Sequence, residues 1–127
     1  MNELVVTAKA FADPTRVRIL AALRGGELCV CELSDALGVT QSTLSTHLQV
    51  IRDAGLVQTR RDGKWIYYTV SAEMEQLLES VFGFFASTVK NDSTLRRDRQ
   101  QLAARLKERK GGACCVGFCR PAAKSRK

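Results

Sequence analysis

Five cysteines fall in two groups, a CxC pair at Cys29 and Cys31 and a CCxxxC cluster at Cys114, Cys115 and Cys119. Thiolates are soft donors that select soft ions over magnesium or calcium. A soft ion can take two or three such sulfurs around one centre. Inside a regular helix, positions i and i+2 point to different sides. A ligand shared by Cys29 and Cys31 would therefore require the start of a helix to bend or unwind. A helix N-terminus also lowers the pKa of a thiol placed there, which favours the thiolate. The plain alternative for either cysteine alone is a small buried hydrophobe. An odd cysteine count in these spacings points to metal or redox chemistry in a reducing compartment more than to a disulfide framework.

The elements that must position this pair are legible in the apolar spacing. Residues 3–11 carry Leu4, Val5, Ala8 and Phe11 at helical intervals. Asp13-Pro14 is a helix start, with Asp as cap and Pro in the first turn, where its missing N–H does no harm. Val17, Ile19, Leu20 and Leu23 then form a buried helix stopped by Gly25-Gly26. Residues 27–31 are β-branched and cysteine-rich and lead into a helix with Leu33, Ala36 and Leu37 on one face. Gly38 breaks it, and a further helix runs from Thr40 or Gln41 to about Ala54, burying Leu44, Leu48 and Ile51. Residues 57–70 form a β-hairpin about Asp62-Gly63, a dipeptide suited to a tight turn with positive φ. Ser71 caps a last helix over 72–90, with Met74, Leu77, Leu78, Val81, Phe82, Phe85 and Val89 on an apolar face wider than one small domain needs. Part of that face is expected to bury against another chain, with the first helix as its companion.

The helix over 41–54 has the chemistry of a DNA reader. Its outer face shows Gln41, Ser42, Thr43, Ser45, Thr46, Gln49 and Arg52. Hydroxyls and amides donate and accept at base edges, and the major groove admits a single helix. Arg60, Arg61 and Lys64 crowd the hairpin tip and suit phosphates or a minor groove, which fixes position more than sequence. Any exposed helix face is polar, so the order carries the argument: helix, Gly turn, polar helix, AGLV, basic Asp-Gly hairpin. His47, the only histidine, lies beside the apolar stripe, where a partly buried structural role or a phosphate contact suits it better than metal binding. Trp65, Tyr67 and Tyr68 are read as hairpin packing, and Arg16 and Arg18 as solvated or dimer-facing.

The chain has 127 residues, 45% hydrophobic and 26% charged, with a net charge of +7. This suits one globular domain with a modest core. The charge is uneven. Residues 1–90 hold 9 Lys/Arg and 10 Asp/Glu, whereas residues 91–127 hold 11 and 3, so a basic extension makes the protein basic. That extension contains LRRDRQQLAARLKERK, rich in helix formers and poor in core residues, and then a cysteine-bearing tail after Gly111-Gly112. Its charge would add DNA affinity through counterion release or simply solvate the end. No apolar run reaches the length of about 20 residues needed to span a membrane. The first residues lack a signal-peptide pattern, so a cytoplasmic location is expected.

The ordered motifs DPTRVRILAAL, ELCVCELSDALGVTQSTLSTHLQVIRDAGLV and RRDGKWIYY resemble the ArsR/SmtB family of winged-helix transcriptional repressors over residues 3–90. The resemblance implies a mainly α fold with a β-hairpin wing (α+β), a winged helix-turn-helix that is homodimeric. It divides the chain into a DNA-binding and dimerisation domain over 1–90 and an extension over 91–127. The implied dimer joins through the first helix and the 72–90 helix, binds a double-stranded inverted-repeat operator, and releases it when a metal or metalloid binds. Gln41 to Arg52 would be the recognition helix and Arg60 to Tyr68 the wing. ELCVCEL is similar to the arsenic-responsive branch, whose metalloid cysteines fall at Cys29 and Cys31, with As(III) or Sb(III) as inducer and no organic cofactor. A third cysteine often follows one turn later in that branch, and Ser34 stands there instead. CCxxxC resembles C-terminal arsenic sites of other members, so Cys114, Cys115 and Cys119 are secondary candidates. Three arrangements follow: a two-thiol site, a mixed site with one tail thiol, or an independent tail site. The family's dimer-interface zinc site needs several histidines and acids on the last helix, which has no histidine, so zinc sensing of that type is not expected.

The expected function is thus an arsenite-responsive repressor. A second possibility keeps the fold but makes cysteine oxidation the trigger. A thiol enzyme fits poorly, because there is no CxxC after a strand, no phosphate-cradling glycine loop and a single histidine as base. A metalloid-buffering protein using the tail would bind metalloid without DNA affinity.

Overall fold

Asp13 accepts hydrogen bonds from the backbone N–H groups of Thr15 (2.8 Å) and Arg16 (3.2 Å), and Pro14 fills the first helical position behind it. This cap fixes where the second helix begins. The computed structural model describes residues 1–109. Their order is α1 (Asn2–Ala10), α2 (Pro14–Leu23), β1 (Leu28–Cys29), α3 (Val30–Leu37), α4 (Gln41–Asp53), β2 (Val57–Asp62), β3 (Trp65–Val70), a 3-10 turn (Ala72–Met74), α5 (Glu75–Phe84), α6 (Ala86–Asn91) and α7 (Ser93–Leu106).

The hairpin β2–β3 is antiparallel, pairing Val57 with Val70 at one end and Asp62 with Trp65 at the turn. Gly63 sits at φ 64°, as that tight turn requires. The strand β1 adds to the other edge of β3, with Leu28 opposite Tyr68 and Cys29 opposite Tyr67, giving the order β1-β3-β2. Helices α3 and α4 are joined through Gly38, which closes α3 in the left-handed conformation at φ 66°. The turn is tied by Ser34, whose hydroxyl donates to the Val39 carbonyl at 2.7 Å. One core gathers Ile19, Leu20 and Leu23 of α2, Leu33 and Leu37 of α3, Leu44, Leu48 and Ile51 of α4, Leu56, and Leu78 and Phe82 of α5.

Three expectations change. The helix expected over 72–90 begins as a 3-10 turn and then divides at Phe85, which leaves helical dihedrals at φ −101°, ψ 27°. Gly83 weakens the helix just before that point. Ser71 makes no side-chain cap; it is buried, and its N–H donates to the Leu56 carbonyl at 2.9 Å. Residues 93–106 do not simply solvate the end, as their charge allowed, but form a separate helix. Asp92 caps a new helix by accepting from Leu95 N–H at 2.9 Å, and α7 packs on α3 and α2 with Leu95 buried and Leu102 and Leu106 against the core. Few apolar residues suffice because ion pairs hold the rest of the helix face.

Candidate DNA interface and cysteine site

Cys29 is the N-cap of α3, in extended conformation at φ −87°, ψ 164°, and Cys31 is the second residue of the helix. The obstacle of i and i+2 applies only when both residues are helical, and Cys29 is not. Its Cα lies 5.5 Å from that of Cys31, and the two sulfurs meet, closed as a disulfide. No bending of α3 is needed to bring them together. The pair is almost fully buried, at 0% and 1% exposure, in a cluster with Tyr67 and, at its edge, Trp65. Two sulfurs on one side of one cap fit a single soft centre once reduced. Among the described residues no group of three or more His, Cys, Asp or Glu is placed to hold a metal ion. Ser34 does not turn toward the pair, since its hydroxyl is held by Val39. Cys114, Cys115 and Cys119 lie outside the described residues.

Sequence reasoning misses Glu32, although it stands three residues after the cap, where a capping box places an acid. It is fully buried and accepts from Cys29 N–H at 3.0 Å. Tyr67 does more than pack the hairpin; it is the floor of the cysteine site and also carries Arg60, whose guanidinium lies 4.6 Å from the ring centroid. Arg60 is further held by Glu27 in a two-pronged pair at 2.7 Å each. That hydrogen bond raises the Arg60 pKa against the opposing pull of desolvation. Arg60 therefore ties the wing to the residue before β1, while Arg61 and Lys64 remain exposed at the tip.

In α4 the burial of Leu44, Leu48 and Ile51 turns Ser42, Thr43, Ser45, Thr46, Gln49 and Arg52 outward, with Gln41 half-buried. Thr40 caps the helix by accepting from Thr43 N–H at 3.3 Å. Thr46 turns its hydroxyl back to the Ser42 carbonyl (3.2 Å), and the Gln49 amide N–H donates to Asp53 (2.8 Å), so the Gln49 amide oxygen is not used in that bond. His47 is 18% exposed; its Nδ1 is 3.2 Å from the Arg16 guanidinium and 3.8 Å from Asp13. Arg16 is not solvated as expected. It donates to the carbonyls of Lys9 (2.6 Å) and Ala10 (3.2 Å), closing the end of α1. Arg18 is likewise internal, paired with Asp98 at 2.8 and 2.9 Å and donating to the Leu37 carbonyl at 2.7 Å. The bond to Asp98 raises its pKa above the ordinary arginine value. Neither residue has a sequence signal, because both partners are distant in the chain or are backbone.

No helix among the described residues is long and apolar enough to cross a membrane. Residues 13–59 match the family described as bacterial regulatory protein, arsR family. The chain is 43% identical over 77 residues to the arsenic resistance transcriptional regulator ArsR1 of Pseudomonas putida, a match covering 60% of each chain. It is 36% identical over 91 residues to the biofilm growth-associated repressor of Agrobacterium fabrum, covering 71% of this chain and 78% of that one. Among solved structures it resembles the homodimeric winged helix-turn-helix DNA-binding domain of Mb0332 from Mycobacterium bovis, a possible ArsR-family regulator. That match has a TM-score of 0.64 at 28% identity, over 72% of this chain and 86% of the other. A polar helix set on a glycine turn, a basic hairpin beside it and these relatives agree: the chain belongs to the arsR family of bacterial transcriptional regulators, with a winged helix-turn-helix fold.

Proposed function

We propose that the protein is a homodimeric repressor that holds an inverted-repeat operator and releases it when trivalent arsenic or antimony binds Cys29 and Cys31. The observation that carries this is the meeting of the two sulfurs at the cap of α3, the first helix of the helix-turn-helix. The cap is also the end of β1, paired with β3 of the wing. A change in Cys29 thus acts at once on the wing strand and on the helix against which α4 packs. The exposed face of α4 reads bases, with Ser42, Ser45, Gln49 and Arg52 foremost, and Arg61 and Lys64 hold phosphate. The dimer forms through α1 and the α5–α6 segment, whose Leu4, Val5, Leu77, Phe84 and Phe85 are exposed apolar side chains. The tail thiols Cys114, Cys115 and Cys119 supply a further ligand or a second site.

The test is a mobility-shift titration of the reduced full chain on the DNA upstream of its own coding sequence, with and without arsenite. Retention of that DNA, with loss of the arsenite response in Cys29→Ser and Cys31→Ser, is expected. An arsenite response that survives in the double variant with the tail deleted would overturn the site. The closed disulfide favours one second reading, in which oxidation of the pair is the trigger. Release by peroxide but not by arsenite would select it.

A further inference from the structure

Two sulfurs, a sheet edge and a recognition helix suffice for the switch above, and they leave a fully buried carboxylate unexplained. Glu32 is 0% exposed. A capping box accounts for its bond to Cys29 N–H, but an uncharged glutamine serves that purpose equally. The charge is accounted for by Arg109, three residues beyond the end of α7. Arg109 Nε donates to Glu32 Oε2 at 2.5 Å and its Nη2 to Oε1 at 2.7 Å. The same Nη2 reaches the Glu27 carbonyl at 2.8 Å. One arginine just past α7 therefore grips the chain on both sides of the cysteine pair, and Glu32 passes that grip to the backbone of Cys29. One turn along α3, Asp35 pairs with Arg105, itself 5% exposed, at 2.8 Å. A buried carboxylate is tolerated only while paired, so the cap of α3 and the docking of Arg109 stand or fall together.

We propose that Glu32 is the positioning residue that couples the cysteine pair to α7. With Arg109 docked, Cys29 is held at its cap and both sulfurs are enclosed. With Arg109 released, the start of α3 opens and the thiols become accessible. The proposal rests on the assignment of Cys29 and Cys31 as the sensor and adds the element that controls access to them. Coupling is reciprocal. A ligand that displaces Cys29 from its cap loosens the end of α7, and anything that lifts α7 exposes the thiols.

The experiment uses the full chain reduced with a phosphine. Alkylation of Cys29 and Cys31 by iodoacetamide is followed peptide by peptide in a mass spectrometer, alongside amide hydrogen exchange over 95–109 and over α4. Arg109→Ala and Glu32→Gln are expected to speed alkylation about tenfold or more by promoting local opening and to speed exchange in α7 but not in α4. Arg109→Lys should recover part of the protection, and the exposed Arg96→Ala should change nothing. In the unsubstituted chain, phenylarsine oxide, a dithiol probe, should speed exchange over 102–109, and Arg109→Ala should abolish that further increase. Unchanged alkylation in Arg109→Ala overturns the proposal, as does an equal rise of exchange in α4 and α7. If Glu32→Gln does not fold, the partly exposed Arg109 still decides the matter. Alkylation and exchange of the unliganded chain involve neither DNA nor an arsenical, so failure of this coupling and failure of the repressor assignment leave different patterns.

Discussion

At position 29 a single residue ends a strand, caps a helix and presents a sulfur, and its backbone rather than its thiol decides what the sulfur can do. In a regular helix the pair Cys29 and Cys31 would diverge; with Cys29 extended, they converge. The spacing of the cysteines is legible in the sequence, and so is a helix beginning near them, but its boundary, between Cys29 and Val30, is finer than apolar periodicity resolves. Asp13 shows the same dependence on a cap. Desolvation pushes its carboxyl up, but the N–H groups of Arg16 and Thr15, with the charges of His47 and Arg16, outweigh this and hold it below its ordinary value. A carboxyl whose folded-state pKa lies below the unfolded one contributes stability that is fully present above the unfolded value. That stability is lost as pH falls through the folded value. Asparagine caps a helix as well as aspartate, so Asp13→Asn removes the charge and keeps the bond geometry. The Tm difference between the natural chain and Asp13→Asn is expected to be present above the ordinary carboxylate range and to close as pH falls below it. Thermal melts across that range, with a gap that persists unchanged in acid, would show that the charge is not what stabilises the junction.

At the scale of elements, α2, α3, α4 and the hairpin follow from apolar spacing and turn residues because each buries one face against its neighbours in sequence. The helix α7 does not, and the reason lies in its composition. Of its leucines, Leu95 is buried and Leu102 and Leu106 pack on the core. The rest of its inner face is charged: Asp98 and Arg105 are buried at 4% and 5% exposure. Such residues read as solvent-facing until their partners are known, and those partners, Arg18 and Asp35, lie 80 and 70 residues away. The Arg18–Asp98 pair is the decisive one, since both side chains are largely enclosed and Arg18 also satisfies the Leu37 carbonyl at the end of α3. Removing one partner of a buried pair strands the other charge. Arg18→Ala is therefore expected to lower the unfolding free energy by about 3 kcal/mol, measured by urea denaturation. Asp98→Ala in the same background should cost much less than it does alone, which a double-mutant cycle would show. Additive losses would mean that α7 is held by its leucines and not by its ion pairs.

Among the described residues after Met1, the four most exposed large apolar side chains sit on α1 and at the α5–α6 break. Leu4 and Val5 of α1 are 72% and 43% exposed, and Phe84 and Phe85 at the α5–α6 break are 83% and 52%. A monomer gains nothing from two adjoining aromatic rings in water, and these two meet edge to face at the end of α5, 4.9 Å between centroids. The proposed dimer buries this surface and sets two copies of α4 against two half-sites, so that operator affinity depends on association even though the interface lies away from the reading face. Phe84→Glu places a charge in that surface and is expected to yield monomer in sedimentation experiments at micromolar concentration, with the fold intact by circular dichroism. Operator binding should weaken at least about 100-fold, because each half-site is then held alone. The cations at the wing tip report on a different part of the same assembly. Replacing both Arg61 and Lys64 by Ala should leave the dimer unchanged and reduce the slope of log affinity against log salt by about 1 for each phosphate no longer neutralised. The two variants thus separate dimer assembly from phosphate binding. If Phe84→Glu remains dimeric, the interface is elsewhere; if it is monomeric yet binds the operator as tightly as before, reading does not require the pair.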